Sequence, residues 1–154
     1  MSRLRLRRSA RVLLFDERGD LYLIRLKALL NGQPFVFWVT PGGEVEPGED
    51  DHTAAERELF EEVGLHSKLT GPVLENTGGT YTHLGETVRN YDVYFAARCK
   101  RTEPRLTGTT PEEIELMQEG RWWSLQELQQ SVERVFPESL AELASQVLSE
   151  RKPA

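Results

Sequence analysis

Gly43-Glu44-Val45-Glu46-Pro47-Gly48-Glu49, a loop of glycine, proline and carboxylates, leads after seven residues into Arg57-Glu58-Leu59-Phe60-Glu61-Glu62-Val63-Gly64-Leu65. The second stretch reads as the end of a helix over Asp51 to Val63, with Gly64 where a helix stops. A helix turns about 100° per residue, so relative to Glu58 the side chains of Glu61 and Glu62 fall at about −60° and +40°. Three carboxylates thus share one arc, while Leu59, Val63 and Phe60 turn to a separate face suited to packing on a sheet. Ala54 and Ala55, one turn earlier, are expected to leave room for a loop to approach. Like charges at these spacings cost roughly a few tenths of a kcal/mol per pair on an isolated helix. A hard divalent cation offsets that cost, and Mg²⁺ prefers oxygen ligands and bridges carboxylates to phosphates. A solvated acidic face would account for Glu61-Glu62 alone. It would not account for the Gly-rich loop feeding the helix, nor for Arg57, whose planar fork suits a nearby carboxylate such as Glu49.

Upstream, Val12 to Phe15 and Leu21 to Leu26 are β-rich runs joined by the turn-like Asp16-Glu17-Arg18-Gly19-Asp20. Phe35 to Thr40 is a third run, closed by Pro41-Gly42-Gly43. Downstream, strands are expected at His66 to Leu74, Gly79 to Val88 and Tyr91 to Cys99. Lys100 to Gly120 reads as a long polar connection and Trp122-Trp123 as a short strand. Ser124 reads as the cap of a helix over Leu125 to Val132. Pro137 to Arg151 reads as an amphipathic helix with Leu140, Leu143, Ala144, Val147 and Leu148 on one face. No repeat or linker divides the chain. The expectation is a single domain over residues 1–154, α/β or α+β, with a mixed sheet.

The chain of 154 residues carries 19 Lys+Arg against 25 Asp+Glu, a formal charge of −6. That balance disfavours a general nucleic-acid binder, which would usually present a basic face. A hydrophobic content of 38% is too high for a disordered tail, and no apolar run is long enough to span a membrane. Met1-Ser2-Arg3-Leu4-Arg5-Leu6-Arg7-Arg8 is basic, but the apolar run after it is too short for a secretory signal. The expectation is a cytoplasmic protein whose first strand has a solvated basic lead-in. The single cysteine, Cys99, excludes an internal disulfide framework and a cysteine-based zinc cluster, and reads as a small core residue. No His/Cys set has the spacing of zinc ligands.

Gly43, Glu49, Arg57, Glu58, Leu59, Glu61, Glu62, Gly64 and Leu65 fill every defined position of the Nudix box, and the chain resembles the Nudix hydrolases. Thr40-Pro41-Gly42-Gly43 is similar to the family's entry to the box. Arg121-Trp122-Trp123-Ser124-Leu125-Gln126-Glu127-Leu128 is similar to its strand-to-helix segment near the C-terminus. The resemblance implies an α/β/α sandwich with a mixed β-sheet and a catalytic loop–helix. It implies Mg²⁺-dependent hydrolysis, with Mn²⁺ as a substitute, of a pyrophosphate bond in a nucleoside diphosphate linked to another moiety. Glu58, Glu61, Glu62 and the Gly43 carbonyl would hold metal, with Glu62 the firmest, while Glu49 and Arg57 support the loop–helix geometry. The general base would be Glu58, Glu61 or a later glutamate. Among Glu112, Glu113, Glu115 and Glu119, Glu115 is the first choice.

Candidates for a small-molecule nucleotide substrate are Arg25, Tyr81 and Arg89. Lys27 is a further cation, Phe35, Phe37 and Tyr91 are further aromatics, and His83 is a further polar contact. Tyr81 lies where diadenosine-polyphosphate members carry a tyrosine. Alternatives are a pyrophosphatase that sanitises oxidised nucleoside triphosphates and a non-catalytic nucleotide-sensing module. RNA-end processing is disfavoured by the charge. Homodimers are common in the family.

Overall fold

The computed structural model describes residues 4–30, 33–83, 85–106 and 116–150, with the side chains at 28–30 and 81–83 outside that description. The strands are β1 (Leu4–Phe15), β2 (Leu21–Leu30), β3 (Gln33–Val39), β4 (Gly42–Glu44), β5 (Thr70–His83), β6 (Glu86–Arg98), β7 (Met117–Trp123) and β8 (Val135–Phe136). The helices among these residues are α1 (Asp51–Val63), α2 (Leu125–Gln129) and α3 (Leu140–Glu150). The strands form one mixed sheet in the order β5-β6-β1-β2-β3-β8, with β4 also on β1 and β7 also on β2.

The sheet divides in its middle. β1 runs parallel to β6 along its whole length, from Leu4↔Thr87 to Phe15↔Arg98, yet shares with β2 the single registered pair Phe15↔Leu21. From that corner the β1/β6 half and the β2/β3 half diverge. The segment after β3 fills the gap along β1: Val12 N–H donates to Pro41 O, Ala10 pairs with Gly43, and Val45 N–H donates to Arg8 O. The corner is held by Asp16, which is fully buried and accepts the Arg18 and Asp20 N–H groups at 2.9 Å each.

Alternation along β1 builds two cores. Ala10, Val12 and Leu14 face α1, where they meet Tyr22, Ile24, Leu59 and Val63. Leu13 and Phe15 face the other way, towards Trp38, Tyr94, Trp123 and α3. Leu140, Ala144 and Val147 form the buried stripe of α3. Each fully buried Leu or Val contributes about 1.5–3 kcal/mol of apolar transfer. This is the expected α/β/α layering. Arg8, on the α1 side, ties the layers by a bidentate pair with Asp51, at 2.8 and 2.6 Å. No helix among the described residues is long and apolar enough to cross a membrane.

Several expectations are corrected. The basic lead-in is the first half of β1, because its backbone is paired with β6 from Leu4 onward. The three strands expected between His66 and Cys99 are two long ones, β5 and β6. Residues 64–69 are not strand, and the reversal falls at Gly85, at φ +79°, a turn conformation that favours glycine. Met117 to Gly120 are strand, paired with β2, where a Cβ on Gly120 would lie 1.6 Å from the Tyr22 hydroxyl. The helix after Ser124 stops at Gln129, and the last helix begins at Leu140. Phe60 is exposed and stacks on His66 at 4.3 Å, because the sheet is met by Leu59 and Val63. Ala54 and Ala55 are fully buried in the core, which Val45 of the loop before α1 also packs against.

Candidate active site

Local sequence fixes α1. Asp50, in extended backbone, caps it by accepting the Thr53 N–H at 2.7 Å, and Gly64 ends it at φ +70° with its N–H on Phe60 O. The loop before it is bound to it by one side chain. Arg57 donates Nε and Nη2 to the two oxygens of Glu49, at 2.8 and 2.9 Å, and Nη2 also reaches Glu44 O at 3.2 Å. Its Nη1 donates to Glu58 Oε1 at 2.9 Å and to Glu61 Oε2 at 3.0 Å. The Arg57 hydrogen bonds hold the Glu49 carboxyl below the usual range, and Glu49 in turn raises the Arg57 pKa.

Glu58 and Glu62 meet on the inner side of the helix. Burial pushes Glu62 well above the ordinary carboxylate range, the charge of Glu58 adds to this, and Arg11 opposes it. Glu58 is raised by burial and relieved by hydrogen bonds from Glu62 and Arg57. Burial and mutual proximity thus both disfavour charge on this pair, Glu62 more than Glu58. Glu62 Oε1 also accepts the Gly42 N–H at 3.2 Å. The two carboxylates sit against a backbone with no side chain in the way. A Cβ on Gly43 would lie 2.7–2.8 Å from the carboxyl atoms of Glu58.

These residues fit a hard divalent cation. The donors are oxygens, and two carboxylates whose charge is disfavoured by burial and by each other mark the place where positive charge is wanted. Glu61 is held by Arg57, and among the described residues no three His, Cys, Asp or Glu side chains stand as a closed ligand cluster. Gly43→Ala tests the cradle. Its methyl must displace the Glu58 carboxyl, so metal-dependent turnover should fall about tenfold or more while thermal stability changes little. Turnover at the wild-type level would show that Glu58 does not depend on this approach.

The carboxylates open on a cleft of about 1610 Å³ between the two halves of the sheet. Its walls include Arg5, Arg7 and Arg11 from β1 and Asp92 from β6, with Phe37 and Phe136 further along. Arg5 Nη2 lies 2.8 Å from Glu44 Oε1, and Arg7 Nε lies 3.6 Å from Glu44 Oε2. Arg11 donates to Thr40 O at 2.9 Å and lies 3.5 Å from Asp92 Oδ1.

The structure thus brings Gly43, Glu49, Arg57, Glu58, Glu61 and Glu62 together and leaves other sequence candidates apart. Arg25 lies off the cleft, 3.5 Å from Glu119 and 3.8 Å from Glu133. Arg89 also lies off it, and Lys27 is exposed. Tyr91 lies under the Arg8 guanidinium. Glu112, Glu113 and Glu115, and the side chains of Tyr81 and His83, lie outside the described residues. The cleft arginines and Phe136 were not among the sequence candidates. The alternation Arg3-Leu4-Arg5-Leu6-Arg7 has the period of a strand and was the available signal. Phe136 carried none, since its place depends on pairing with Val39.

A family model described as the NUDIX domain matches residues 5–143. Over 56 residues the chain is 38% identical to an RNA pyrophosphohydrolase of Nitrobacter winogradskyi, covering 36% of this chain and 33% of that one. Over 39 residues it is 51% identical to a diphosphoinositol polyphosphate phosphohydrolase 3-beta of Bos taurus, covering 25% and 23%. The alignments span about a third or less of these relatives. A crystal structure of a MutT protein from Methanosarcina mazei Go1 superposes with a TM-score of 0.68 at 19% identity, covering 99% of this chain and 100% of that one. That likeness shows the fold.

Proposed function

The chain belongs to the Nudix family, and from that premise we propose that it is a single-domain, Mg²⁺-dependent pyrophosphohydrolase of the cytoplasm. Its substrate is a nucleoside diphosphate linked to another moiety, cleaved by attack of water on phosphorus. The observation that carries this reading is the half-buried Glu58–Glu62 pair, set against Gly43 and facing a cleft lined by arginines. Mg²⁺, or Mn²⁺ in its place, supplies charge neutralisation, Lewis acidity and a lowered pKa of water when bound.

The chain's own residues do the rest. Glu58 and Glu62 hold the cation, with the Gly43 carbonyl and Glu61 as further ligands. Arg57 keeps Glu58 and Glu61 oriented and fastens the loop through Glu49. Arg5, Arg7 and Arg11 attract and orient the anionic chain of phosphates. One carboxylate accepts the proton of the attacking water as the P–O bond to the leaving phosphate breaks. Glu58, Glu61 and, from the segment after Leu106, Glu115 are the candidates for that role.

The test is turnover of the purified chain with Mg²⁺ or Mn²⁺ on nucleotides, oxidised nucleoside triphosphates, dinucleoside polyphosphates and 5′-triphosphorylated RNA. Phosphate products should appear with either metal and vanish on chelation with EDTA. Absence of metal-dependent turnover on every compound would sink the hydrolase and leave a nucleotide-sensing module.

A further inference from the structure

The arginines of the cleft are held in two different ways. Arg5 is exposed, Arg7 is half-buried, and both meet the exposed carboxylate of Glu44. The Arg11 side chain is only 17% exposed and is engaged along its length. Its stem lies under the loop before α1, where a Cβ on Gly42 would stand 2.7 Å from the Arg11 Cα and Cγ. The N–H of that same Gly42 donates to Glu62, so the stem supports the backbone that touches the carboxylate site. Arg11 Nη1 donates to Thr40 O at 2.9 Å, and Nε faces Asp92 Oδ1 at 3.5 Å. Nη2 makes no hydrogen bond among the described residues, which leaves one nitrogen of the fork for a ligand in the cleft.

Asp92 is out of place in the wall of a cleft for anions. Its side chain is 14% exposed, and Oδ1 is buried without a hydrogen bond among the described residues. A carboxylate there repels phosphate, and its desolvation is costly unless a counterion faces it. Strand register brings that counterion. Arg11 on β1 pairs with Tyr94 on β6, and Asp92 stands two residues before Tyr94 on the same face. We propose that Asp92 is a positioning residue, which orients the Arg11 guanidinium so that its remaining nitrogen meets a phosphate oxygen of the bound diphosphate. An arginine already engaged through its stem, Nη1 and Nε loses little freedom when it binds, and this preorganisation outweighs the repulsion from a carboxylate that Arg11 itself neutralises. The proposal rests on the reading of the cleft as a pyrophosphohydrolase site and adds to it a residue that acts on the ligand through Arg11.

Calorimetry with Mg²⁺ and methylenediphosphonate, a diphosphate mimic that is not hydrolysed, tests this without turnover. Asp92→Asn should weaken binding about fivefold, within the range of coupling between contacting residues. Removing an anion that acted by repulsion alone would tighten binding, so the sign of the change is decisive. Arg11→Ala should weaken binding about tenfold or more, and adding Asp92→Asn to it should change affinity by less than about twofold. Arg11→Lys keeps the charge, loses the fork and should bind about as weakly as Asp92→Asn. Melting temperatures of the variants should stay close to wild type. Unchanged or tighter binding by Asp92→Asn overturns the proposal, as does an equal loss in the Arg11→Ala background. Should Asp92→Asn fail to fold, wild-type affinity in Arg11→Lys overturns it alone. No binding of the probe by the wild-type chain overturns it too. The expected pattern without turnover on any substrate would remove the hydrolase and keep the positioning role. Metal-dependent turnover without the pattern would do the reverse.

Discussion

Glu62→Gln should lower kcat/KM by at least about 10²-fold while the metal-free protein melts no lower than wild type. The first half follows from charge. Glutamine keeps the shape and the contact with Gly42 but removes the anion that a cation needs, and losses of preorganised electrostatic stabilisation are typically about 10²–10³-fold. The second half follows from the raised pKa of Glu62. A carboxyl that binds its proton more tightly when folded makes the fold less stable as pH rises from the unfolded pKa towards the folded one. Glutamine has no such dependence. The readouts are kcat/KM with saturating Mg²⁺ and the melting temperature without metal. Near-normal activity would remove Glu62 from the proposed machinery, and a large drop in melting temperature would assign it to the fold instead.

Arg57→Ala carries the largest expected cost to stability. It deletes five hydrogen bonds and leaves Glu49 and Glu58, whose side chains are 12% and 14% exposed, without their counterion. Removing one partner of a buried pair costs about 3–5 kcal/mol, and partial exposure of the arginine lowers the expectation to about 2–3 kcal/mol. Turnover should fall more than about tenfold, because Glu58 and Glu61 lose the group that orients them. Arg57→Lys keeps the charge without the fork, so it should recover part of the stability and less of the activity. Urea unfolding alongside steady-state kinetics tests both. Wild-type stability in the alanine variant would mean that the three carboxylate partners reorganise without cost.

The candidate helix and its loop were readable because they are local. Asp50 caps, Gly64 terminates, and Glu49 and Arg57 are eight positions apart on one short segment, so spacing carries nearly all the information. What lay beyond reach depends on pairing between distant residues. The strand character of Leu4 to Arg11 comes from β6, some eighty residues away, and with it comes the placement of Arg5, Arg7 and Arg11 in the cleft. Arg25 illustrates the opposite case. Its position after an inner strand suggested a phosphate contact, but the register with β7 sets it beside Glu119. Phe60 shows the limit of helical periodicity, since an apolar side chain at the margin of the buried arc turned outward onto His66.

The divided sheet has a dimensional consequence. Phe37 and Phe136 belong to one half, Arg5 and Arg7 to the other, and β1 and β2 share only the pair beside the Asp16 turn. The two halves are therefore the jaws of a caliper whose pivot is that turn. The spacing of the jaws starts at that pivot, from Asp16 and the two backbone amides it accepts, well away from the carboxylates. The spacing across the cleft and the arrangement of its carboxylates are thus fixed by separate parts of the chain.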